Sequence, residues 1–399
     1  MTTYLNDYKN YKYQTSYSDF YNSVVRVSNT ESYGTGALLY DGRSILTAAH
    51  IFEGFGIDNI TVYFDTSWGT KAYNATIKVY DDYDAINSNG DLAILTLEEN
   101  VSSFYERYDI YRDNQELGNS FTMAGYGTYG SGQTGELDNI NDLLKLKTSN
   151  TFDSDFYSIY TSTNTNLLWE PLQDSILAAD FDNGYTKNDA LGNILDINNL
   201  GVGILEGMIA SGDSGGPAFI NNLIAGVASY TTSIISYSNK TDINNTLDSS
   251  FGEIGAWQRV SYYSQWIDKT IREGYENAPS SKLEVQTSIL EDDNDSISST
   301  YFLLEFIGKR ENILDNITLN YTTRDGTATS GEDYIASSGI ITLYYDESSV
   351  VIPVEIIGDD YIEENETFYL DITNPSYGSF GDDAVLTAMR TIIDDDFLI

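Results

Sequence analysis

The chain has 399 residues, 61 acidic side chains against 20 basic ones, a formal charge of −41, no cysteine and one histidine, yet it is 41% hydrophobic. That apolar fraction is too high for a disordered acidic tail, and the length predicts two or three domains, each able to bury a core. So negative a surface repels phosphate backbones and anionic lipid, which argues against nucleic acid and leaves divalent cations as natural counter-charge, while the cysteine and histidine counts exclude disulfides, thiol catalysis and metal sites needing two imidazoles.

In chain order, Met1 to Tyr21 holds six tyrosines and lacks the basic start and apolar stretch of a secretory signal peptide. It reads as a partly ordered leader over 1–21. Short stretches rich in β-branched and aromatic residues follow, bounded by Gly and Asx turns: Val24–Val27, Thr61–Phe64, Leu92–Leu97, Leu223–Ala228 and Ile352–Ile357. Both halves therefore predict as mainly β, of sandwich or barrel type. The segment Asp180-Phe-Asp-Asn-Gly184 begins as a calcium loop does, but Leu191 stands where the closing glutamate belongs, so it reads as an Asx-rich turn. Large apolar side chains at helical spacing from Tyr263 to Ile271 predict a helix closing the first domain. The polar stretch Gly274–Lys282 with Pro279 predicts a linker. Beyond it, residues 281–399 carry 25 acidic and 5 basic side chains, about half of the total charge in less than a third of the length. No run of about 18 apolar residues occurs, so no membrane span is expected.

The strongest local signal is Gly212-Asp-Ser214-Gly-Gly-Pro217. A serine flanked by glycines fits a tight turn in which the Gly212 and Ser214 amides point at one oxyanion. Serine needs a base to take its proton, and the one imidazole available is His50, in Thr47-Ala-Ala-His50. A buried carboxylate must fix its tautomer, and Asp91, opening Asp91-Leu-Ala-Ile-Leu95, is best placed. These three motifs, in this order, resemble the chymotrypsin/trypsin-like serine peptidases over about 20–272. The resemblance implies two six-stranded β-barrels with a His50–Asp91–Ser214 triad in the cleft, a Gly212/Ser214 oxyanion hole and no cofactor for the catalytic chemistry. The 123 residues from Asp91 to Ser214 are long for the family and imply insertions between about Asp138 and Leu200. By the same resemblance, Met208 floors a specificity pocket walled by Ser229, Tyr230 and Thr231, which Thr231 narrows and the Thr232–Ser250 insertion could remodel. Cleavage after a small or medium apolar residue is the expectation. Asp213 would receive the ammonium of a freed N-terminus, but the nearest match to the usual Ile-Val-Gly-Gly is Asn22-Ser-Val24-Val25, so the sequence leaves processing open.

The C-terminal carboxylates are clustered, and adjacent carboxylates repel unless a hard cation bridges them. Asn320–Tyr334, Ile356–Phe368 and Thr391–Asp396 together resemble the Calx-beta domain over about 282–396. That resemblance implies a seven-stranded immunoglobulin-like sandwich binding Ca2+ at one tip through Glu291, Asp325, Asp359, Asp360, Glu363, Glu366, Asp394, Asp395 and Asp396. Gly358, in place of a common acidic residue, implies fewer ions.

The expectation is thus an all-β chain: leader 1–21, trypsin-like double β-barrel with a C-terminal helix 22–273, linker 274–282 and Calx-beta sandwich 283–399. Its function is read as a serine endopeptidase acting on protein or peptide substrates, with a catalytically idle barrel serving calcium-dependent adhesion or matrix binding as the alternative. The sequence does not set the oligomeric state; a monomer is expected. The absent signal peptide, absent cysteine and strong acidity resemble bacterial proteins exported by type I secretion, so a secreted, extracellular location by a signal-peptide-independent route is expected.

Overall fold

The computed structural model describes residues 1–54, 59–137, 143–234, 240–293, 296–310, 312 and 315–396. It is built mostly of strands and divides into two compact units, Met1–Glu99 with Glu106–Thr270, and Asn100–Tyr105 with Ile271–Ile399.

The first unit opens on a closed antiparallel barrel of Val24–Ser28, Tyr33–Leu38, Ser44–Thr47, Ala93–Leu97, Gly69–Val79 and Ile60–Thr66, in that order around the ring. Period-two patterning sets its inside: Ile60, Val62 and Phe64 are buried while Thr61, Tyr63 and Asp65 are half-buried. Arg26 faces Tyr63 across the ladder and lays its guanidinium 4.1 Å from the ring centroid.

The second sheet has seven strands, in the order Leu146–Thr151, Ser120–Gly125, Pro217–Ile220, Leu223–Thr232, Ile254–Arg259, Ile176–Asp180 and Ser154–Asp155. Where a six-stranded barrel was expected, the backbone ladder of seven strands does not close into a ring, and Asn150 on its first strand reaches across to the sixth. Asn150 Nδ2 donates to the Asp180 carbonyl at 2.8 Å and to the Gly207 carbonyl at 3.1 Å, satisfying buried carbonyls that a further ladder would otherwise use. Trp257, Phe121, Phe152, Phe181 and Met208 fill the core over this sheet. The long interval before Ser214 contributes two short helices, Phe156–Thr161 and Ala190–Leu195, whose Phe156, Ile159, Leu191 and Ile194 pack beneath Ile176 and Ile254. The predicted closing helix runs Val260–Glu273 and buries Tyr263, Ile267 and Ile271 at four-residue spacing.

Residues 1–21, expected as a loosely ordered leader, are part of this unit. Thr2 pairs with Met208 on one side and Gly130 on the other, Met1 and Tyr13 are buried, and the Tyr13 hydroxyl donates to the Ile204 carbonyl at 2.6 Å. Tyr4 also donates its hydroxyl, to the Asn183 carbonyl, and the Tyr8 and Tyr21 rings pack on Tyr129 and Phe219, which is why this polar-looking stretch is ordered although Tyr11 and Tyr17 stay exposed.

The second unit is a sandwich. A five-stranded sheet (Ser288–Leu290, Leu386–Ile393, Glu366–Thr373, Ile317–Asp325, Ser338–Leu343) faces the pair Ile297–Glu305 and Ser349–Ile357 across a core of Phe302, Ile352, Val354, Phe368 and Leu370. Seven strands agree with the immunoglobulin-like expectation.

Candidate active site

His50 lies in the 3₁₀ turn Ala49–Phe52, directly after the strand Ser44–Thr47, and Asp91 lies just before Ala93–Leu97. Thr47 pairs with Ala93, so both residues leave the same end of adjacent barrel strands. Asp91 is buried and meets His50 twice: Oδ1 accepts the backbone N–H at 2.8 Å and Oδ2 lies 2.7 Å from ring Nδ1. On the other side of the ring, Nε2 lies 2.8 Å from Ser214 Oγ. Donation from Nδ1 to a carboxylate leaves Nε2 as the acceptor for the serine hydroxyl. Burial pulls the imidazole pKa down, but the hydrogen bond and charge of Asp91, with Glu53, outweigh it and leave His50 raised above 6.5.

The serine sits on a turn that glycine makes possible. Gly212 has φ +90° and Gly215 φ +81°, in the left-handed region, and a side chain at 215 would strike the Thr35 carbonyl. Strand Tyr33–Leu38 of the barrel holds this turn: Thr35 N–H donates to the Ser214 carbonyl at 2.8 Å and Thr35 Oγ1 donates to the Gly212 carbonyl at 2.9 Å. With its carbonyls tied down, the turn presents its amides. Among the described residues neither the Gly212 nor the Ser214 N–H donates to an acceptor. Asp213 points the other way, into the interior, where it accepts from Gly127 N at 2.8 Å, Ala210 N at 2.9 Å and the Met1 ammonium at 2.7 Å.

Of the residues expected around the specificity pocket, Met208 is fully buried with its thioether against Gly255 and Trp257. Ser229 directs its hydroxyl to the candidate triad, a contact the sequence reading did not include. The ladder slips between Ala228 and Tyr230, and this bulge turns the Ser229 hydroxyl to donate to Asp91 Oδ2. Tyr230 packs on Phe156 and Trp169 and accepts a hydrogen bond from Trp169 Nε1 at 3.1 Å, and Thr231 is half-buried beside it. Residues 235–239 of the Thr232–Ser250 insertion lie outside the described residues.

In the sandwich unit, Glu291, Asp333 and Glu363 each bring one oxygen within 4.8 Å of the others, as do Asp293, Asp360 and Asp396. Burial first, then the charges of Asp359, Glu363, Asp333 and Asp394, push Glu291 up to about 7. Glu366 is likewise pushed up to about 7, by burial and then by Asp333. Asp394 receives the Glu363 and Asp396 amides at 2.8 Å each, and Asp395 that of Asp292 at 3.2 Å. Of the expected ligands, Asp325, Asp359, Glu366, Asp394 and Asp395 lie outside both groups. The Asp325 carboxylate accepts from the Tyr334 hydroxyl at 2.5 Å and Ser330 N at 3.0 Å, bonds that hold it below the usual carboxylate range. Asp333 and Asp293 stand in the groups instead. Asp333 lay within the quoted Asn320–Tyr334 run, whereas nothing in the sequence marks Thr35, a threonine in an ordinary strand.

Comparison with known proteins bears on both units. Residues 12–174 match the Trypsin family, a span that includes His50 and Asp91 and ends before Ser214, and residues 298–396 match the Calx-beta domain family. Part of the chain is 34% identical over 89 residues to the sodium/calcium exchanger Calx of Drosophila melanogaster, covering 22% of this chain and 9% of that protein. It is 29% identical over 143 residues to sodium/calcium exchanger 1 of Canis lupus familiaris, covering 28% of this chain and 14% of that protein. The chain thus spans only a small part of the curated relatives it matches. Among solved structures, neuropsin, a serine protease expressed in the limbic system of mouse brain, aligns with TM-score 0.44 and 16% identity over 63% of this chain and 94% of that one. The chain carries a trypsin-type domain followed by a Calx-beta domain.

Proposed function

We propose that this protein is a serine endopeptidase whose chemistry runs through His50, Asp91 and Ser214, with an appended calcium-binding sandwich. The observation that carries the reading is the unbroken hydrogen-bond chain from Asp91 through His50 to Ser214 Oγ, beside two amides free to receive an oxyanion. In this reading His50 Nε2 takes the Ser214 proton as Oγ attacks the scissile carbonyl, and the Gly212 and Ser214 amides stabilise the tetrahedral oxyanion. The imidazolium formed, balanced by Asp91, returns the proton to the leaving amine, and water then releases the acyl group by the same steps in reverse order. The buried Met208 thioether and the presence of Thr231 favour a small or medium apolar side chain at the scissile residue, because a buried ammonium would lack a counter-charge there.

The donor chemistry of the sandwich fits Ca2+. Glu291, Asp333 and Glu363 supply only carboxylate oxygens, and their crowding is unfavourable without a cation. These residues would hold one ion, and Asp293, Asp360 and Asp396 a second, each of which would cross-link loops of the sandwich. Such a module suits an extracellular setting, where calcium is abundant, and we place the protein there.

Fluorophosphonate labelling tests the peptidase reading. Wild-type protein should label and Ser214→Ala should not; folded wild-type protein that resists labelling favours the idle, adhesive alternative. For the sandwich, added Ca2+ should raise the melting temperature of wild-type protein by mass action and raise it less in Glu291→Gln. An identical shift in both would remove Glu291 from the ligand set.

A further inference from the structure

We propose that the trypsin-type unit holds a second kind of Ca2+ site, buried away from the triad and formed by the carboxylates of Asp180, Asp182 and Asp189. Asp180 ends the strand Ile176–Asp180, where pairing with Ile254 fixes it. Asp182 follows two residues later, and Asp189 caps the helix Ala190–Leu195. All three are at most 5% exposed, and one oxygen of each lies within 4.8 Å of the other two. Oxygens bound to one Ca2+ at about 2.4 Å are separated by at most about 4.8 Å, so the triplet has the span of a single coordination shell.

The hydrogen bonds around these oxygens leave a place open. Asp180 Oδ2 accepts the Leu191 amide at 2.8 Å and Asp189 Oδ1 the Gly192 amide at 2.5 Å. Asp182 Oδ1, on a residue 1% exposed, has no hydrogen-bond partner. A buried carboxylate oxygen without a donor is costly, and its carboxylate stands in a group with two others. Glu206, itself fully buried, adds charge behind the triplet but spends its oxygens on the Asp182 and Val202 amides. Among the described residues no lysine or arginine forms an ion pair with these carboxylates, and Lys187 and Lys240 only line an open pocket beside Asp189; the influences on Asp182 are burial first, then Asp180, Glu206, Asp189 and Asp153, and they push it up to about 10. The site therefore holds either protons or a cation. An all-oxygen donor set without imidazole or thiolate selects a hard ion. The Asx-rich turn expected over 180–184 is thereby reassigned: the third carboxylate is absent from Leu191 and comes from Asp189, two residues earlier, through the helix cap.

The test is independent of whether the triad is competent. Full-length protein stripped with chelator is dialysed against Ca2+, and bound ions are counted by native mass spectrometry for wild type, Asp182→Asn, Glu291→Gln and the double variant. One ion fewer in Asp182→Asn, additive with the loss from Glu291→Gln, is expected, together with lower thermal stability of Asp182→Asn in Ca2+. An unchanged count, with Asp182→Asn more stable than wild type in both chelator and Ca2+, would mean that protons hold the cluster and would overturn the proposal. If Asp182→Asn does not fold, anomalous scattering from wild-type crystals grown in millimolar Tb3+ decides. A peak among Asp180, Asp182 and Asp189 supports the site, and no peak there sinks it.

Discussion

His50 is under two opposing influences. Burial favours its neutral form, while Asp91 and Glu53 favour the protonated one and prevail. The acid limb of kcat/KM should therefore have its midpoint above the free imidazole value of about 6.5, read from a pH–rate profile on a peptide substrate. A raised native pKa also means that this group contributes to stability below about pH 6.5, and that the contribution fades as pH rises through the native value. Asp91→Asn should lower the midpoint and reduce kcat by about 10⁴, since an amide facing Nδ1 favours the wrong tautomer. An acid limb unmoved by that substitution would show that another group controls the profile. That Ser214, His50 and Asp91 come together was readable from sequence, because each sits in a short motif. The bond from the Ser229 hydroxyl to Asp91 was not readable, because the ladder between Leu223–Thr232 and Ile254–Arg259 slips beside Ser229, and only that pairing decides which way its hydroxyl points.

At the scale of elements, the nucleophile turn is a joint between two sheets. Thr35, from the closed barrel, holds the carbonyls of Gly212 and Ser214, while the Met1 ammonium, brought in by the strand Thr2–Thr3, neutralises Asp213 beneath them. Both members of that ion pair are buried, so removing one leaves an uncompensated charge. Asp213→Asn should cost about 3–5 kcal/mol in the unfolding of the trypsin-type unit. It should also lower the fraction of active sites titrated by a burst substrate, because the turn loses its anchor. Full burst amplitude with unchanged unfolding would separate the pair from the turn's conformation. The sequence marked Asp213 as the receiver of an ammonium, but not Thr35, whose contacts with the turn join residues more than 100 apart along the chain.

Across the whole molecule, the charge of −41 is partly buried rather than spread over the surface. Asp180, Asp182 and Glu206 are buried in one unit and Glu291 in the other. Two effects of added salt follow from this. Monovalent salt screens exposed charges and should raise the melting temperature modestly. Ca2+ at equal ionic strength should raise it further, because screening does not reach buried carboxylates whereas a bound cation neutralises them. Equal shifts from the two salts, measured by calorimetry, would assign the charge effect to the surface alone.

The sequence by itself determined the all-β character, the order of the two domains and the three motifs that hold His50, Asp91 and Ser214, because strand periodicity, glycine turns and a solitary histidine act over a few residues. It also indicated that acidic clusters in the second half invite a cation. Only the tertiary structure decided which carboxylates share a site. Asp325 turns to Tyr334, Asp333 takes a place among Glu291 and Glu363, and Asp189 reaches Asp180 and Asp182 from a helix cap. The physical reason is the same in each case: strand and helix ends aim these side chains, and their direction is fixed by pairing and packing partners far away in the chain.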